Sequence, residues 1–173
     1  GQRIVKMDEL RSVLEEAAFD DVRTLLASGN IMFKSSADNP SELVSKIEER
    51  LELTFGFEIT VIVRSSGQIR SLVESAPFAE FEERNDVKPY VSFMADKPTS
   101  HLRLPYEPPS GGFRLLRICE SDVLSVVFPS QQGRSGDAMK LLEKEFGPKI
   151  TTRNWKTVLK IYDRLGDTDP GEE

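Results

Sequence analysis

The chain has 173 residues, of which 38% are apolar and 30% charged, and its net charge of −6 argues against nucleic-acid binding over the whole surface. Its single cysteine, Cys119, and single histidine, His101, exclude an internal disulfide and the usual zinc sites, and no other metal or cofactor is predicted. There is neither an apolar run of about 18 residues nor a signal-peptide pattern, so we expect a cytoplasmic protein without a membrane span.

The first part of the chain is predicted to fold as helix, hairpin, helix and strand. Apolar residues recur at helical spacing over residues 7–19. The Ser28-Gly29-Asn30 stretch separates two short apolar runs and is typical of a tight hairpin turn. In the helix that follows, Asn39 is the expected cap and Gly56 the expected end. The β-branched segment Phe57–Arg64 is then predicted to be a strand.

The rest of the chain is predicted to contain four strands and three helices, apart from a proline-rich loop at 97–112 with one weak helical turn around Leu102. In chain order these elements are a helix around 69–76, strands at 89–95, 113–119 and 123–128, a helix around 139–146, a strand at 149–152 and a helix at 155–165. We expect the polar tail, residues 166–173, to be disordered.

The order of these elements indicates an α+β protein built from two similar halves. Both halves follow versions of the β-α-β-β-α-β plan, and the first strand of the first copy is missing. We place the first subdomain, with its connecting helix, at residues 1–80. The second subdomain, with the C-terminal helix, is placed at residues 81–165.

Three segments of the chain are similar to the domain-of-unknown-function 1697 family. They are Gly1–Arg11, Ser28–Phe33 and Thr151–Val158, the last preceded by Gly133-Arg134-Ser135. The apolar opening strand of the family and most of its glycine turn are absent from this sequence. The resemblance implies two tandem ferredoxin-like α/β sandwich subdomains. It implies no activity, because the family has no established one, so the function is unknown.

The start of the last predicted helix is the sharpest candidate site. Thr152 or Asn154 could cap that helix, so that backbone amides and the Arg153 guanidinium point toward one spot. Such an arrangement suits a phosphate or a carboxylate. The alternative is structural: a cap from Thr152 or Asn154, packing by Trp155, and an Arg153 that pairs with a neighbouring acid.

A second candidate lies in the loop before the helix at 139–146. Arg134 and Ser135 stand between glycines there and could cradle an anion, although the spacing is not that of a nucleotide-binding P-loop. The alternative is a loop in which Ser135 or Asp137 is only the helix cap. If Arg134, Arg153 and the turn that carries Ser28 and Asn30 border one pocket, the hypothesis is a binding domain for a small anionic ligand.

Two alternative functions remain open at this level, and an enzyme is not favoured. The chain could be a protein–protein or oligomerisation module that uses exposed sheet edges and faces. Nucleic acid could also bind the basic side of the last helix, which we take to carry Arg153, Lys156, Lys160 and Arg164. No pair of a nucleophile and a base can be assembled from the sequence, and it predicts neither an oligomeric state nor a specific partner.

Overall fold

A computed structural model of the protein describes residues 4–25, 29–129 and 135–166, without the side chain of Ser135. The chain divides into two compact units, Gly1–Val63 and Arg64–Glu173. Within the described ranges the fold is α+β, with five α-helices and two antiparallel sheets. None of these helices is long and apolar enough to cross a membrane. Gly166, predicted to begin the disordered tail, is instead the last residue of α5, and residues 167–173 lie outside the described residues.

The first unit consists of two helices and one hairpin. In chain order they are α1 (Met7–Glu16), β1 (Asp20–Leu25), β2 (Asn30–Lys34) and α2 (Pro40–Phe55). Helix α1 ends earlier than the predicted residue 19, because Ala18 adopts a left-handed conformation with φ of 63°. The expected ends of α2 are confirmed: Asn39 Oδ1 accepts a hydrogen bond from the Ser41 amide, and Gly56 follows with φ of 74°.

The core of the first unit lies between the two helices and the hairpin. Its members are apolar and buried, and they come from all four elements or the turn between α1 and β1: Val13, Leu14, Ala17, Phe19, Val22, Leu43, Ile47 and Leu51, with Ile31 and Phe33 partly buried against them. The helical spacing seen in the sequence therefore reports the faces that α1 and α2 turn toward this core.

The predicted strand over residues 57–64 is wrong, because this segment pairs with no strand of the described chain. Its alternating residues Ile59, Val61 and Val63 do pack against the core of the first unit. The Val61 amide donates to Glu48 Oε1 at 2.8 Å instead of to a neighbouring strand. A β-branched, alternating sequence fits a half-buried surface, but a strand also needs a partner backbone.

The second unit is a four-stranded sheet with helices. Its elements are α3 (Ser66–Glu74), a short 3-10 helix (Ala79–Phe81), β3 (Lys88–Met94), β4 (Phe113–Cys119), β5 (Asp122–Val127), α4 (Ser135–Phe146), β6 (Ile150–Asn154) and α5 (Trp155–Gly166). Helix α3 thus belongs to this unit, whereas the sequence analysis placed it before a domain boundary at residue 80. The independence of the two predicted domains stays a prediction.

The strands of the second unit are ordered β4-β5-β3-β6, and all neighbouring pairs are antiparallel. The predicted hairpin of β4 and β5 is confirmed. No helix forms between β3 and β4, so the weak helical turn expected around Leu102 is wrong. Ser100 Oγ and the His101 amide both donate to Glu145 Oε1, which fixes this loop through side-chain contacts rather than backbone helix bonds.

Alternate residues of the central strand β3 lie on opposite faces of the sheet, and each face is covered by a helix. Met94 belongs to a cluster with Leu115, Val123 and Leu142, which places α4 on that face of the sheet. Helix α5 contacts β3 and β6, and its Val158 is fully buried, as is Val91 in β3. Because strand side chains alternate between faces, β3 can be covered by apolar contacts on both sides.

Leu51 and Leu53 give a matched test of the first core, since both lie in α2. We expect Leu51→Ala to lower the free energy of unfolding by about 2–5 kcal/mol, because a buried side chain leaves a cavity. Leu53→Ala should change it by less than about 0.5 kcal/mol, since Leu53 is 74% exposed and Leu51 only 3%. Urea denaturation followed by circular dichroism measures both; equal losses would contradict the assigned packing of α2.

Candidate functional site

The predicted residues Thr152, Arg153 and Asn154 lie in β6, directly before α5. Strand β6 pairs with β3 so that Ser92 is opposite Thr152 and Val91 is opposite Arg153. In an antiparallel pair, successive side chains point to opposite faces of the sheet. Thr152 and Asn154 therefore share one face, and Arg153 lies on the other.

Thr152 and Asn154 both make local structural bonds. The hydroxyl groups of Thr152 and Ser92 lie 2.8 Å apart across the two strands, and Ser92 is fully buried. Asn154 Oδ1 accepts a hydrogen bond of 2.8 Å from the Thr157 amide. Asn154 is thus the cap of α5, one of the two candidates that the sequence offered, while Thr152 bonds to Ser92.

Arg153 occupies a half-buried position on the opposite face. Its Nη1 donates to Thr151 Oγ1 at 2.6 Å and to the Thr152 carbonyl oxygen at 3.0 Å. Burial lowers the pKa of the Arg153 guanidinium, because the charged form loses hydration. The side chain is therefore held near the junction of β6 and α5, in a place where its positive charge is incompletely hydrated.

Trp155 anchors the start of α5 beside this arginine. Its ring meets that of Phe78 edge-on, with centroids 5.0 Å apart and an interplanar angle of 69°. Such edge-to-face pairs stabilise beyond the area that they bury. The packing role expected for Trp155 is confirmed, and this contact helps to fix where the helix begins.

The remaining predicted site residues cannot be placed with Arg153. Ser28 and Arg134 lie outside the described residues, as does the side chain of Ser135, whose backbone begins α4. Asn30 belongs to the first unit, where its Nδ2 donates to the Leu25 carbonyl oxygen at 3.2 Å and closes the hairpin. Whether these residues border one pocket stays a prediction.

The basic side of α5 differs from the predicted one by one residue. Lys156, Lys160 and Arg164 are exposed, and the exposed Asp163 lies among them. Arg153 is not part of this surface, because its pairing with Val91 keeps it in β6. The side that nucleic acid would contact therefore carries three cations of the predicted four and one carboxylate nearby.

Two shallow depressions lie in the first unit, whereas Arg153 and α5 belong to the second. One, of about 280 Å³, is lined by residues of α1 and by Thr54. The other, of about 230 Å³, is lined by Ser35 and Ser36 and by Lys46, among others, and the Lys46 Nζ lies 4.7 Å from the centroid of the Phe19 ring. Among the described residues, no group of three or more histidine, cysteine or acidic side chains could hold a metal ion.

A buried ion pair that sequence reasoning missed lies in the second unit. Arg64 Nε and Nη2 donate to Asp122 Oδ1 at 3.0 and 2.9 Å. The two side chains are only 13% and 12% exposed. Arg64 is the last residue of the predicted strand at 57–64, and Asp122 is the first residue of β5, which is otherwise apolar or small. An acidic residue at the start of such a buried strand was the available sign that it needs a partner.

Burial raises the pKa of the Asp122 carboxyl, although the positive charge and hydrogen bonds of Arg64 act in the opposite direction. Glu120, in the turn before β5, is a second negative charge that raises it further. Loss of hydration is the largest of these effects, so the arginine partner does not bring the pKa of this carboxyl down to its ordinary value.

The bond between Ser92 and Thr152 gives a prediction about stability. Thr152→Val should lower the free energy of unfolding by about 1–3 kcal/mol, because it leaves the buried Ser92 hydroxyl without this partner. The double variant Ser92→Ala/Thr152→Val should regain most of that loss. Urea denaturation followed by Trp155 fluorescence measures both; a double variant that is no better than the single would contradict the assignment.

The raised pKa of Asp122 predicts a pH dependence with a defined sign. The folded protein holds the Asp122 proton more tightly than the unfolded chain does, so this group stabilises the fold at low pH. That contribution is lost as the pH rises above the ordinary aspartate value of 3.8. We compare the free energy of unfolding of Asp122→Asn with that of the parent by denaturation at each pH. The value for the variant minus the value for the parent should rise between pH 4 and neutrality. A difference that is constant, or that falls, would refute the assigned shift.

Comparisons with known proteins assign the chain to a family without assigning an activity. No curated protein matches it. A solved structure, that of the conserved bacterial protein SP0830 from Streptococcus pneumoniae, is similar in fold with a TM-score of 0.69, over 96% of this chain and 92% of that chain. The two sequences are 24% identical, so this likeness concerns the fold alone. The model of the protein family of unknown function DUF1697 matches residues 1–111, and the chain belongs to that family.

Proposed function

We propose that the second unit binds a small anionic ligand, bearing a phosphate or a carboxylate, through Arg153. The observation that carries this proposal is the half-buried guanidinium at the junction of β6 and α5, whose pKa is lowered by burial. A cation with reduced hydration gains more from an anion than a fully hydrated one does, because the interaction is less screened.

The contacts of Arg153 support a binding role for this side chain. Thr151 Oγ1 and the Thr152 carbonyl accept hydrogen bonds from the same nitrogen, Nη1. Both acceptors are neutral oxygens, and they orient the guanidinium. The planar guanidinium matches carboxylate and phosphate oxygens in two-pronged geometry, which a lysine at this position would not reproduce.

The start of α5 adds to the positive potential near Arg153. The amide end of a helix carries a partial positive charge, and α5 begins two residues after Arg153. Lys156 is exposed in the first turn. In this proposal Asn154 supports the site because it caps the start of α5. A contribution of Arg134 and Ser135 to ligand binding stays a prediction.

We also infer that the second unit has the ferredoxin-like topology implied by the sequence. The strand order β4-β5-β3-β6, with every neighbouring pair antiparallel, supports this inference, as does α4 between β5 and β6. The order helix, strand, strand, helix in the first unit supports the same plan there. The cytoplasm stays the predicted compartment, because a lone cysteine fits a reducing environment.

Trp155 is the only tryptophan of the chain and lies two residues after Arg153, so its fluorescence reports on the proposed site. We expect at least one of inorganic phosphate, a panel of phosphorylated metabolites and nucleotides, or a panel of small carboxylates to change this fluorescence saturably. The same compound should raise the melting temperature, since a ligand at 100 times its Kd stabilises by about 2.7 kcal/mol.

Arg153→Ala should abolish both effects at the same ligand concentration. The matched control is Arg164→Ala, which removes an exposed arginine from α5 and should leave both effects unchanged. The proposal fails if no compound of the three sets acts on the parent protein. It also fails if the Arg153 variant responds as the parent does.

A further inference from the structure

The Arg64 guanidinium joins two places in the second unit, the end of β3 and the start of β5. Besides its two bonds to Asp122, Nη2 donates to the Met94 carbonyl at 2.7 Å and to the Ser121 carbonyl at 3.1 Å. These acceptors are the last residue of β3, the turn between β4 and β5, and the first residue of β5. The guanidinium Cζ also lies 5.6 Å from the centroid of the Phe93 ring.

The position of Arg64 in the chain is as notable as its contacts. It is the first residue of the second unit, and the next residue, Ser65, is the cap of α3. Ser65 Oγ accepts a bond from the Gln68 amide, and Gln68 Oε1 accepts one from the Ser65 amide. A fixed Arg64 therefore also fixes the residue from which α3 starts.

A buried ion pair of this kind is expected to add little net stability. Both side chains are nearly nine-tenths buried, and taking two charges out of water costs about as much as their attraction returns. The raised pKa of Asp122 agrees with this balance. Stability therefore does not explain why two charges lie in the interior. The contacts of Arg64 with two distant chain segments indicate a positioning role instead.

We propose that the Arg64–Asp122 pair is a positional pin: it fixes the backbone where the chain enters the second unit and begins α3, and it does not raise the stability of that unit. The pin acts by geometry, because four hydrogen-bond contacts from one planar group, with one N–H of Nη2 shared between two acceptors, accept only one placement of Arg64 relative to the end of β3 and the start of β5. An apolar pair of similar size would fill the same space without that constraint.

The test compares the parent with Arg64→Met and with the double variant Arg64→Met/Asp122→Leu. Arg64→Met should raise the unfolding equilibrium constant by about 100-fold or more, because the Asp122 carboxylate stays buried without its cation. The double variant should return to within about tenfold of the parent. Urea denaturation followed by Trp155 fluorescence gives these constants, and Arg64→Lys offers a milder change that retains the charge.

Amide hydrogen exchange then separates position from stability. In the double variant, the Gln68 and Ile69 amides of the first turn of α3 should exchange at least about tenfold faster, while Val91 and Leu124 in the sheet keep their parent rates. Arg64→Lys should show a smaller acceleration at the same amides. The matched control is Arg84→Met/Asp86→Leu, which replaces an exposed ion pair of the same unit and should leave these rates unchanged.

Two results would overturn the proposal. A double variant as unstable as Arg64→Met would mean that the pair stabilises the unit in its own right. A double variant of parent stability, with parent exchange rates at the start of α3, would mean that the pair positions nothing. Parent-like stability together with faster exchange confined to that turn is the result that supports the pin.

Discussion

The pairing of β6 with β3 is the interaction on which the arrangement of the second unit depends. It makes β3 a central strand, with β5 on its other side, and it sets the face to which each residue of β6 points. A shift of one residue would exchange the positions of Thr152 and Arg153. The register therefore decides at once that the Thr152 hydroxyl meets buried Ser92 and that Arg153 lies on the opposite face, near α5.

Buried charge appears in two different forms in this unit. Arg64 is almost fully buried and is matched by Asp122 and two backbone carbonyls, so it is well suited to hold chain segments together. Arg153 is only half-buried, and the two bonds described for it go to neutral oxygens. Similar guanidinium chemistry thus serves a structural contact in one case and, in our proposal, a ligand contact in the other.

Local signals in the sequence were sufficient for most elements and for several of their ends. Asn39 and Gly56 bound α2 because a polar cap and a left-handed glycine act on neighbouring residues only. The expected strand at 57–64 shows the limit of such signals: its apolar alternation is real and packs inward, yet no partner strand among the described residues completes it. The candidate site was predictable in part. The cap of α5 depends only on neighbouring residues, whereas the face of the sheet on which Arg153 lies depends on the pairing of β6 with β3.

The amino-acid sequence by itself determined the α+β class, the helical faces, the β4–β5 hairpin and the kinship with a family of unknown function, because these follow from composition, periodicity and motifs along the chain. The tertiary structure alone decided that β6 extends through Asn154, that Arg153 leaves the basic side of α5, and that Arg64 meets Asp122 across 58 positions of the sequence. The physical reason is that strand register and ion pairing depend on which distant segments become neighbours, and no local pattern carries that information.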